Sequence, residues 1–255
     1  MQRVERAIII RRIAFGEADW IVTAFCRGLG RTSGIARSAR SSVKRFGGAL
    51  EPGTQVELKF SQRPGSSLAR IDEARVIRSA NGAMRSLERI AAMARALDLA
   101  LAFLQEGQPA PEKFDLLEER LCAISEREPG FRESVEFELG WLGLSGFCPQ
   151  FERCPACEAP LKVNPRGASR AGWSFDVDRG GVLCPSCALR AGRRVRISGD
   201  ALGFLKTPTG EGVDEGAARQ AGALLSCYID HVVGRPLRSW TVPDSSLQGL
   251  NRGNS

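Results

Sequence analysis

Two Cys-x-x-Cys motifs restrict the possible structures of this chain more than any other feature of its sequence. They are Cys154-Pro-Ala-Cys157 and Cys184-Pro-Ser-Cys187, separated by the 26 residues 158–183. Each motif lets two thiolates meet one ion from a tight turn, and two such motifs complete the tetrahedral sulfur shell that zinc prefers. The sequence therefore predicts a structural Zn²⁺ bound by Cys154, Cys157, Cys184 and Cys187.

Other uses of these four cysteines fit the sequence less well. A redox Cys-x-x-Cys pair is expected at the start of a helix within a β-α-β unit, and neither motif has that setting. An iron–sulfur cluster also takes four cysteines, but two matched motifs favour a structural tetrahedral site. Cys148 is the one plausible substitute ligand, and we expect it to pack at the end of the preceding helix instead. Four thiolates close the shell, so no metal catalysis is expected.

A run of cations without acids distinguishes the N-terminal third of the chain. No Asp or Glu occurs between Asp19 and Glu51, and residues 1–80 contain 15 of the 36 lysines and arginines but 7 of the 29 acids. The entire net charge of +7 therefore belongs to this third. Such asymmetry is typical of a polyanion-binding module joined to a neutral one, although a solvated basic surface is the alternative. The predicted nucleic-acid contacts are Arg27, Arg31, Arg37, Arg40, Lys44, Arg45 and Phe46.

Aromatic side chains near this run offer surfaces on which bases could stack. They are Trp20, Phe25, Phe46 and Phe60. For each of them a place in the hydrophobic core is favoured over stacking, and Phe46, beside Lys44 and Arg45, is the one to test first.

The first 78 residues predict a small β-barrel. Five short segments have β character and are separated by turns rich in glycine: VERAIIIRR, DWIVTAFC, GRTSGIARSA, TQVELKF and LARIDEARVI. Five strands without a long helix favour an OB-fold, a common platform for single-stranded nucleic acid, with an SH3-like barrel as the alternative.

From residue 81 the apolar period becomes helical. Helices are predicted over 83–105, 114–127, 131–144, 200–207 and 216–233. The predicted fold class is therefore α+β multidomain: an OB-fold β-barrel at 1–80, an α-helical C-terminal domain in two parts, 81–147 and 191–240, and an inserted four-cysteine, zinc-ribbon-like subdomain at 148–190. The polar tail 241–255 is expected to be disordered.

Several classes of function find no support in the sequence. The apolar run 7–10 is too short for a signal peptide, and the most apolar helical stretch is shorter than the roughly 20 residues of a membrane span. The chain lacks a P-loop, an HExxH motif and a GxSxG motif. The single histidine, His231, is expected near a helix C-terminus and not in catalysis. The sequence thus predicts a cytoplasmic protein that is not an enzyme and has no nucleotide cofactor.

The order of these features resembles the RecO family of bacterial recombination mediators, from about Val4 to Trp240. The stretches that carry the resemblance are FGEADWIVTAFCRGLGRTSGIARSAR, KRFGGALEPGTQVEL, LGLSGFCPQFERCPAC, GGVLCPSCA and HVVGRPLRSW. Family members combine an OB domain, a helical domain and a zinc-binding insertion. Some members lack the cysteines, whereas this sequence has all four.

The resemblance implies a non-enzymatic role in DNA repair and recombination, in the cytoplasm and at the nucleoid. It implies binding of single- and double-stranded DNA and annealing of complementary strands. It also implies that the protein acts with RecR to help load RecA onto DNA coated by the single-strand DNA-binding protein. An RNA-binding factor and a protein-interaction scaffold remain the alternative functions.

Overall fold

A computed structural model describes residues 2–61, 68–161, 172–208 and 214–237, and these form two compact units, within 1–129 and within 130–237. The predicted disordered tail at 241–255 lies outside the described residues. The domain boundaries inferred from the sequence stay predictions.

Five strands in the N-terminal unit form a closed barrel. They are β1 (Gln2–Phe15), β2 (Asp19–Cys26), β3 (Gly30–Ala36), β4 (Gln55–Ser61) and β5 (Ala69–Arg78). The strand order is β1-β2-β3-β5-β4, and β3 and β5 pair in parallel whereas the other neighbours are antiparallel. A small five-stranded barrel of this kind is OB-like, which confirms the predicted fold of this part of the chain.

The barrel buries side chains on two faces. The alternation of β4 points Val56, Leu58 and Phe60 into the barrel core. In β1 the residues Ala7–Ile10 are all buried, because helices cover the outer face of the sheet. Phe25, on the outer face of β2, meets Phe114 of the covering helix with their ring centroids 5.3 Å apart.

Three helices complete the N-terminal unit. A single turn, α1 (Val43–Phe46), lies between β3 and β4, while α2 (Leu87–Phe103) and α3 (Pro111–Glu126) follow the barrel. The sequence predicts one helix over 83–105, but residues Ala80–Arg85 instead form a 3-10 helix. The division falls at Ser86, whose hydroxyl accepts a hydrogen bond from the backbone N–H of Arg89 at 3.2 Å and so begins α2.

The C-terminal unit combines helices with a small sheet. Its elements are α4 (Phe131–Leu144), β6 (Trp173–Asp176), β7 (Gly181–Leu183), α5 (Pro185–Ala188), β8 (Arg194–Ile197), α6 (Gly199–Lys206) and α7 (Glu215–Val233). The sheet is antiparallel in the order β7-β6-β8, and α4 and α6 both pack against α7. Trp141 and Leu225 are fully buried within this unit. The helical C-terminal domain is thus confirmed.

None of the described helices has both the length and the apolar character needed to cross a membrane.

Candidate metal centre and nucleic-acid surface

The first cysteine motif forms a tight turn held by backbone hydrogen bonds. The N–H of Glu158 donates to the carbonyl of Cys154 at 2.8 Å, and the N–H of Cys154 donates to the carbonyl of Ala159 at 2.9 Å. Glu158 takes the left-handed conformation, with φ +60°. This geometry turns the chain back on itself, so that Cys154 and Cys157 present their sulfurs to the same side.

The second cysteine motif lies at the start of a short helix. Cys184 immediately precedes α5, Pro185 occupies the first helical position, and the N–H of Ala188 donates to the carbonyl of Cys184 at 2.9 Å. Proline suits that position because its φ angle is already helical. The helical turn brings Cys187 to the same side as Cys184.

The two motifs converge on one point. The four Sγ atoms of Cys154, Cys157, Cys184 and Cys187 all lie within 4.8 Å of one another, and the Sγ atoms of Cys157 and Cys184 are 3.7 Å apart. These four residues could therefore hold a metal ion, as the sequence predicts.

Their surroundings shift the pKa values of Cys154, Cys157 and Cys187 in different directions. Burial raises the pKa of Cys154, but N–H groups of Cys184, Ala156 and Cys157 donate to its sulfur and lower the pKa to about 6 overall. The neighbouring sulfurs of Cys184 and Cys157 raise the pKa of Cys187 to about 12. The pKa of Cys157 is also raised. Several thiolates at this separation repel one another, so the fully ionised set requires a cation between them.

A framework that the sequence analysis missed supports the cysteine cluster. The ring of Tyr228 on α7 meets that of Phe175 on β6 edge to face, with centroids 5.6 Å apart, and its hydroxyl donates to the carbonyl of Phe147 at 3.3 Å. A Cβ on Gly180 would lie 2.5 Å from the Tyr228 hydroxyl. The only tyrosine in the chain therefore packs α7 directly against the turn before β7.

Cys148 does not behave as the sequence predicts. It lies outside the group of four sulfurs, which agrees with the expected ligand set, but its side chain is exposed and not packed at the helix end. Gly146, with φ +79°, turns the chain after α4 and so carries Cys148 outward. His231 occupies the last turn of α7, as expected, with Nδ1 3.7 Å from a carboxylate oxygen of Asp178.

Residues 37–45, here called the basic segment, run from the end of β3 into α1 and have a definite conformation. The guanidinium group of Arg45 donates to the carbonyl of Arg37 at 2.8 Å and to the Ser42 hydroxyl at 3.0 Å. Arg40 donates to the carbonyl of Glu17 at 2.9 Å. Arg37, Arg40 and Lys44 are exposed, while Arg45 is half-buried. Four of the six cations predicted from the sequence thus lie on one short, ordered connection.

The other two predicted cations are turned toward the helices of the same unit. Arg27 makes two hydrogen bonds to the carboxylate of Asp115 on α3, at 3.0 and 2.9 Å. This pairing lowers the pKa of Asp115 and raises that of Arg27. Arg31 donates to the carbonyl of Leu101 on α2 at 3.3 Å. Both side chains therefore link the barrel to its helices.

Phe46 lies in the barrel core, where it packs with the inward side chains of the strands and is 3% exposed. Stacking on a base would require the ring to leave that core, so the structure favours the core role over the predicted contact of Phe46 with nucleic acid. The guanidinium carbon of Arg45 lies 5.0 Å from the ring centroid. Phe46 thus anchors the end of the basic segment.

Comparison with known proteins covers both units of the chain. The family described as recombination protein O N terminal matches residues 1–80, and the family described as recombination protein O C terminal matches residues 84–241. The chain belongs to the RecO family. Its membership supports a role in DNA repair and recombination.

Relatives named DNA repair protein RecO align over nearly the whole chain. The protein of Anaeromyxobacter dehalogenans strain 2CP-C is 33% identical over 246 residues, 93% of this chain and 94% of its own. That of Anaeromyxobacter sp. strain Fw109-5 is 35% identical over 241 residues, 90% of this chain and 91% of its own. That of Myxococcus xanthus strain DK1622 is 30% identical over 241 residues, 91% of this chain and 93% of its own.

In this RecO family member the sequence analysis also missed a residue beside the basic segment. The guanidinium carbon of Arg12 on β1 lies 4.6 Å from the ring centroid of Trp20, and that of Arg40 lies 5.8 Å from it. Arg12 pairs across the sheet with Val22, so Trp20 is its diagonal neighbour on the same face. The sequence could have indicated this contact, because a turn at 16–18 fixes the register of the β1–β2 hairpin and places Arg12 near Trp20.

Proposed function

We propose that this RecO family member is a non-enzymatic recombination mediator that binds single- and double-stranded DNA through the basic segment. It anneals complementary strands, and with RecR it helps load RecA onto DNA coated by the single-strand DNA-binding protein. Its place of action is the cytoplasm, at the nucleoid.

One observation carries the DNA-binding part of the proposal. Arg37, Arg40, Lys44 and Arg45 lie within nine consecutive residues, 37–45, that follow β3 of the OB-like barrel, with no acidic residue among them. In the described part of the chain no carboxylate pairs with Arg37 or Lys44, so both charges face solvent. Guanidinium and ammonium groups in this arrangement suit phosphate oxygens spaced along a strand. Arg27 and Arg31, which contact the helices, are secondary candidates for these contacts.

Salt dependence tests the proposed surface. Four phosphate contacts to single-stranded DNA give a slope of log affinity against log salt of about −2.8, or about a 50-fold loss between 50 and 200 mM salt. The variant R37A/R40A/K44A keeps one of the four cations, so its slope should fall to about −0.7. Fluorescence anisotropy of a labelled oligonucleotide across a salt series measures both slopes.

A matched control removes the same charge elsewhere on the barrel. Arg70, Arg75 and Arg78 on β5 pair with Asp72, Glu73 and Glu126, respectively. Because these cations are already neutralised, R70A/R75A/R78A should keep most of the wild-type slope. Equal losses in the two triple variants would contradict the assignment to the basic segment. Tighter binding of an RNA strand of the same sequence would favour the RNA-binding alternative.

We also propose that the metal is Zn²⁺ and that its role is structural. Tetrahedral zinc with bonds of about 2.3 Å to sulfur places its ligands about 3.8 Å apart. The Cys157–Cys184 separation of 3.7 Å agrees with that value. Four sulfur ligands leave no open position for a water, so the ion would stabilise the fold without taking part in chemistry. In small zinc domains such an ion contributes on the order of 10 kcal/mol to folding.

Annealing and partner functions need their own assays. Purified protein should accelerate pairing of two complementary strands, and R37A/R40A/K44A should lose this acceleration because annealing requires both strands on the protein. Pull-down of RecR and of the single-strand DNA-binding protein should be unaffected by the same variant. Loss of partner binding together with DNA binding would contradict a DNA-specific role for the basic segment.

A further inference from the structure

A cavity of about 290 Å³ opens beside the basic segment. Its walls come from β1, β2, α1 and the connections before and after α1. The wall residues that matter for its chemistry are Arg12, Trp20, Arg40, Val43, Phe46 and Glu51. The volume is at the lower limit of about 300 Å³ for small-molecule sites, so it suits one planar ring system and not an oligomer.

The cavity offers the two kinds of flat surface on which proteins hold unstacked bases. Those surfaces are aromatic rings and guanidinium planes. Trp20 supplies the ring, and it is held in place by packing against the barrel core. The guanidinium groups of Arg12 and Arg40 lie over that ring, with their carbons 4.6 and 5.8 Å from its centroid. An entering base therefore stacks on a guanidinium plane, or it displaces the more distant Arg40 and stacks on the ring.

Glu51 decides which part of a nucleotide the cavity can accept. Its carboxylate pairs with Arg12 at 2.6 Å and lines the cavity. A phosphate or an acidic peptide placed there would have to compete with this carboxylate for Arg12. A base edge would not, because its N–H groups can donate to the carboxylate while its carbonyl oxygens accept from Arg12.

The remaining exposed cations of the basic segment lie outside the cavity. Arg37 and Lys44 belong to the same basic segment, but neither lines the cavity. A strand whose phosphates contact these two residues therefore passes along the mouth of the cavity, and one of its bases can turn inward.

We propose that this cavity, here called the base pocket, holds one unstacked nucleobase of a strand whose phosphates lie on the basic segment. The inference rests on the proposed DNA-binding function and adds a contact to the base itself. Because a base in a duplex is stacked and paired, the base pocket favours single-stranded over double-stranded DNA.

The test compares two 15-mers that carry the same phosphates. One is oligothymidylate, and the other is a chain of abasic sugar phosphates without any base. The full-length protein should bind oligothymidylate about tenfold more tightly, since one stacked base contributes about 1–3 kcal/mol and 1.4 kcal/mol is a factor of ten. Both oligomers should have the same salt slope, because the phosphate contacts are shared.

Two variants assign the tenfold preference to the base pocket. W20L removes the stacking ring and should reduce the preference to below about twofold. Because Trp20 also packs on the core, V43E provides a second variant: Val43 is 81% exposed, so the substitution leaves the core intact and places a carboxylate at the cavity mouth. Its control is V76E, at a residue of the same barrel that is 47% exposed and outside the cavity.

The ratio of the affinity for oligothymidylate to that for the abasic oligomer distinguishes binding of a base in the pocket from binding of phosphates on the basic segment. Changes in net charge affect both oligomers alike and cancel in the ratio, so V43E should lower it and V76E should not. Equal binding of the two oligomers with a slope near −2.8 would overturn the base pocket and leave the proposed function intact. Salt-independent binding of both would overturn the proposed function instead. Binding of a short acidic peptide that is abolished by V43E would reassign the cavity to a protein partner and overturn the inference.

Discussion

Gly30 illustrates how a single residue fixes the start of a barrel strand. Its φ is +73°, and a Cβ there would lie 1.8 Å from the backbone oxygen of Gln108. The chain approaches closely because the connection between α2 and α3 is bonded to β3: the N–H of Gly107 donates to the carbonyl of Arg31 at 2.9 Å. The residue that begins β3 must therefore have no side chain and must accept a left-handed backbone.

Substitutions at two glycines separate these two requirements. Gly16 also has a left-handed φ, +61°, but a Cβ there would meet nothing within 4 Å. G16A should therefore lose only about 1 kcal/mol of unfolding free energy, from backbone strain. G30A should lose a further 1–3 kcal/mol or so, because the 106–108 connection must move to admit the methyl group. Urea denaturation measures both, and equal losses would contradict the role given to the contact with Gln108.

At the scale of elements, the two cysteine motifs each bring two sulfurs to the same side, but they do so with different backbone conformations. The first is a turn closed by Glu158 in the left-handed conformation, and the second is the start of α5. Both direct N–H groups toward sulfur, which accounts for the lowered pKa of Cys154. The pKa values of Cys157 and Cys187 are raised, since neighbouring sulfurs disfavour their ionised forms.

Metal affinity should consequently depend strongly on pH. Near neutral pH the metal-free Cys157 and Cys187 carry protons, since the pKa of each is raised from the ordinary value of a thiol. The ion must displace at least these two protons, so its affinity should fall by at least about a hundredfold for each unit by which pH is lowered. Below pH 6 the fall steepens, because Cys154 is then also protonated.

Competition with a chromophoric chelator at pH 5.5, 6.5 and 7.5 measures this dependence. C148S is the control, because Cys148 lies outside the group of sulfurs and its loss should leave the curve unchanged. An affinity that is independent of pH would contradict binding by thiolates.

At the scale of the whole molecule, the cysteine cluster and the basic segment belong to different compact units. The basic segment lies within 1–129, whereas the four cysteines lie within 130–237. Each unit has its own buried side chains, such as Phe25 in the first and Trp141 in the second. The stability of the barrel should therefore not depend on the metal.

Hydrogen exchange tests this independence. Removing the metal with a chelator should accelerate amide exchange in β6, β7 and β8 by at least about tenfold, because the ion holds both motifs that flank this sheet. Exchange in β1 to β4 should change by less than about twofold. Mass spectrometry of peptides from the two units reads both outcomes at once. Equal acceleration in the barrel would mean that the metal stabilises both units.

Local patterns account for the parts of the fold that were predictable. The alternation in β4 and the helical period of α3, α4 and α7 are properties of neighbouring residues, and the Cys-x-x-Cys spacing specifies its own geometry. The turn α1 was missed because four residues are too few for a period, and its helical shape depends on Phe46 reaching the barrel core. The Arg27–Asp115 pair was equally hidden, since 88 residues separate its partners.

The barrel's strand order also determines the order in which this chain can fold during synthesis. β1 needs β4 as its second neighbour, and β3 needs β5, so the hairpins formed first leave two edges without partners. Closure involves pairings across tens of residues, which are slow to form because a long loop must be ordered first.

During synthesis the barrel therefore cannot close until residue 78 has left the ribosome. The outer face of Phe25 stays uncovered longer still, until Phe114 arrives with α3. A nascent chain stalled between those two points would expose an apolar sheet, and it is there that chaperones would bind it.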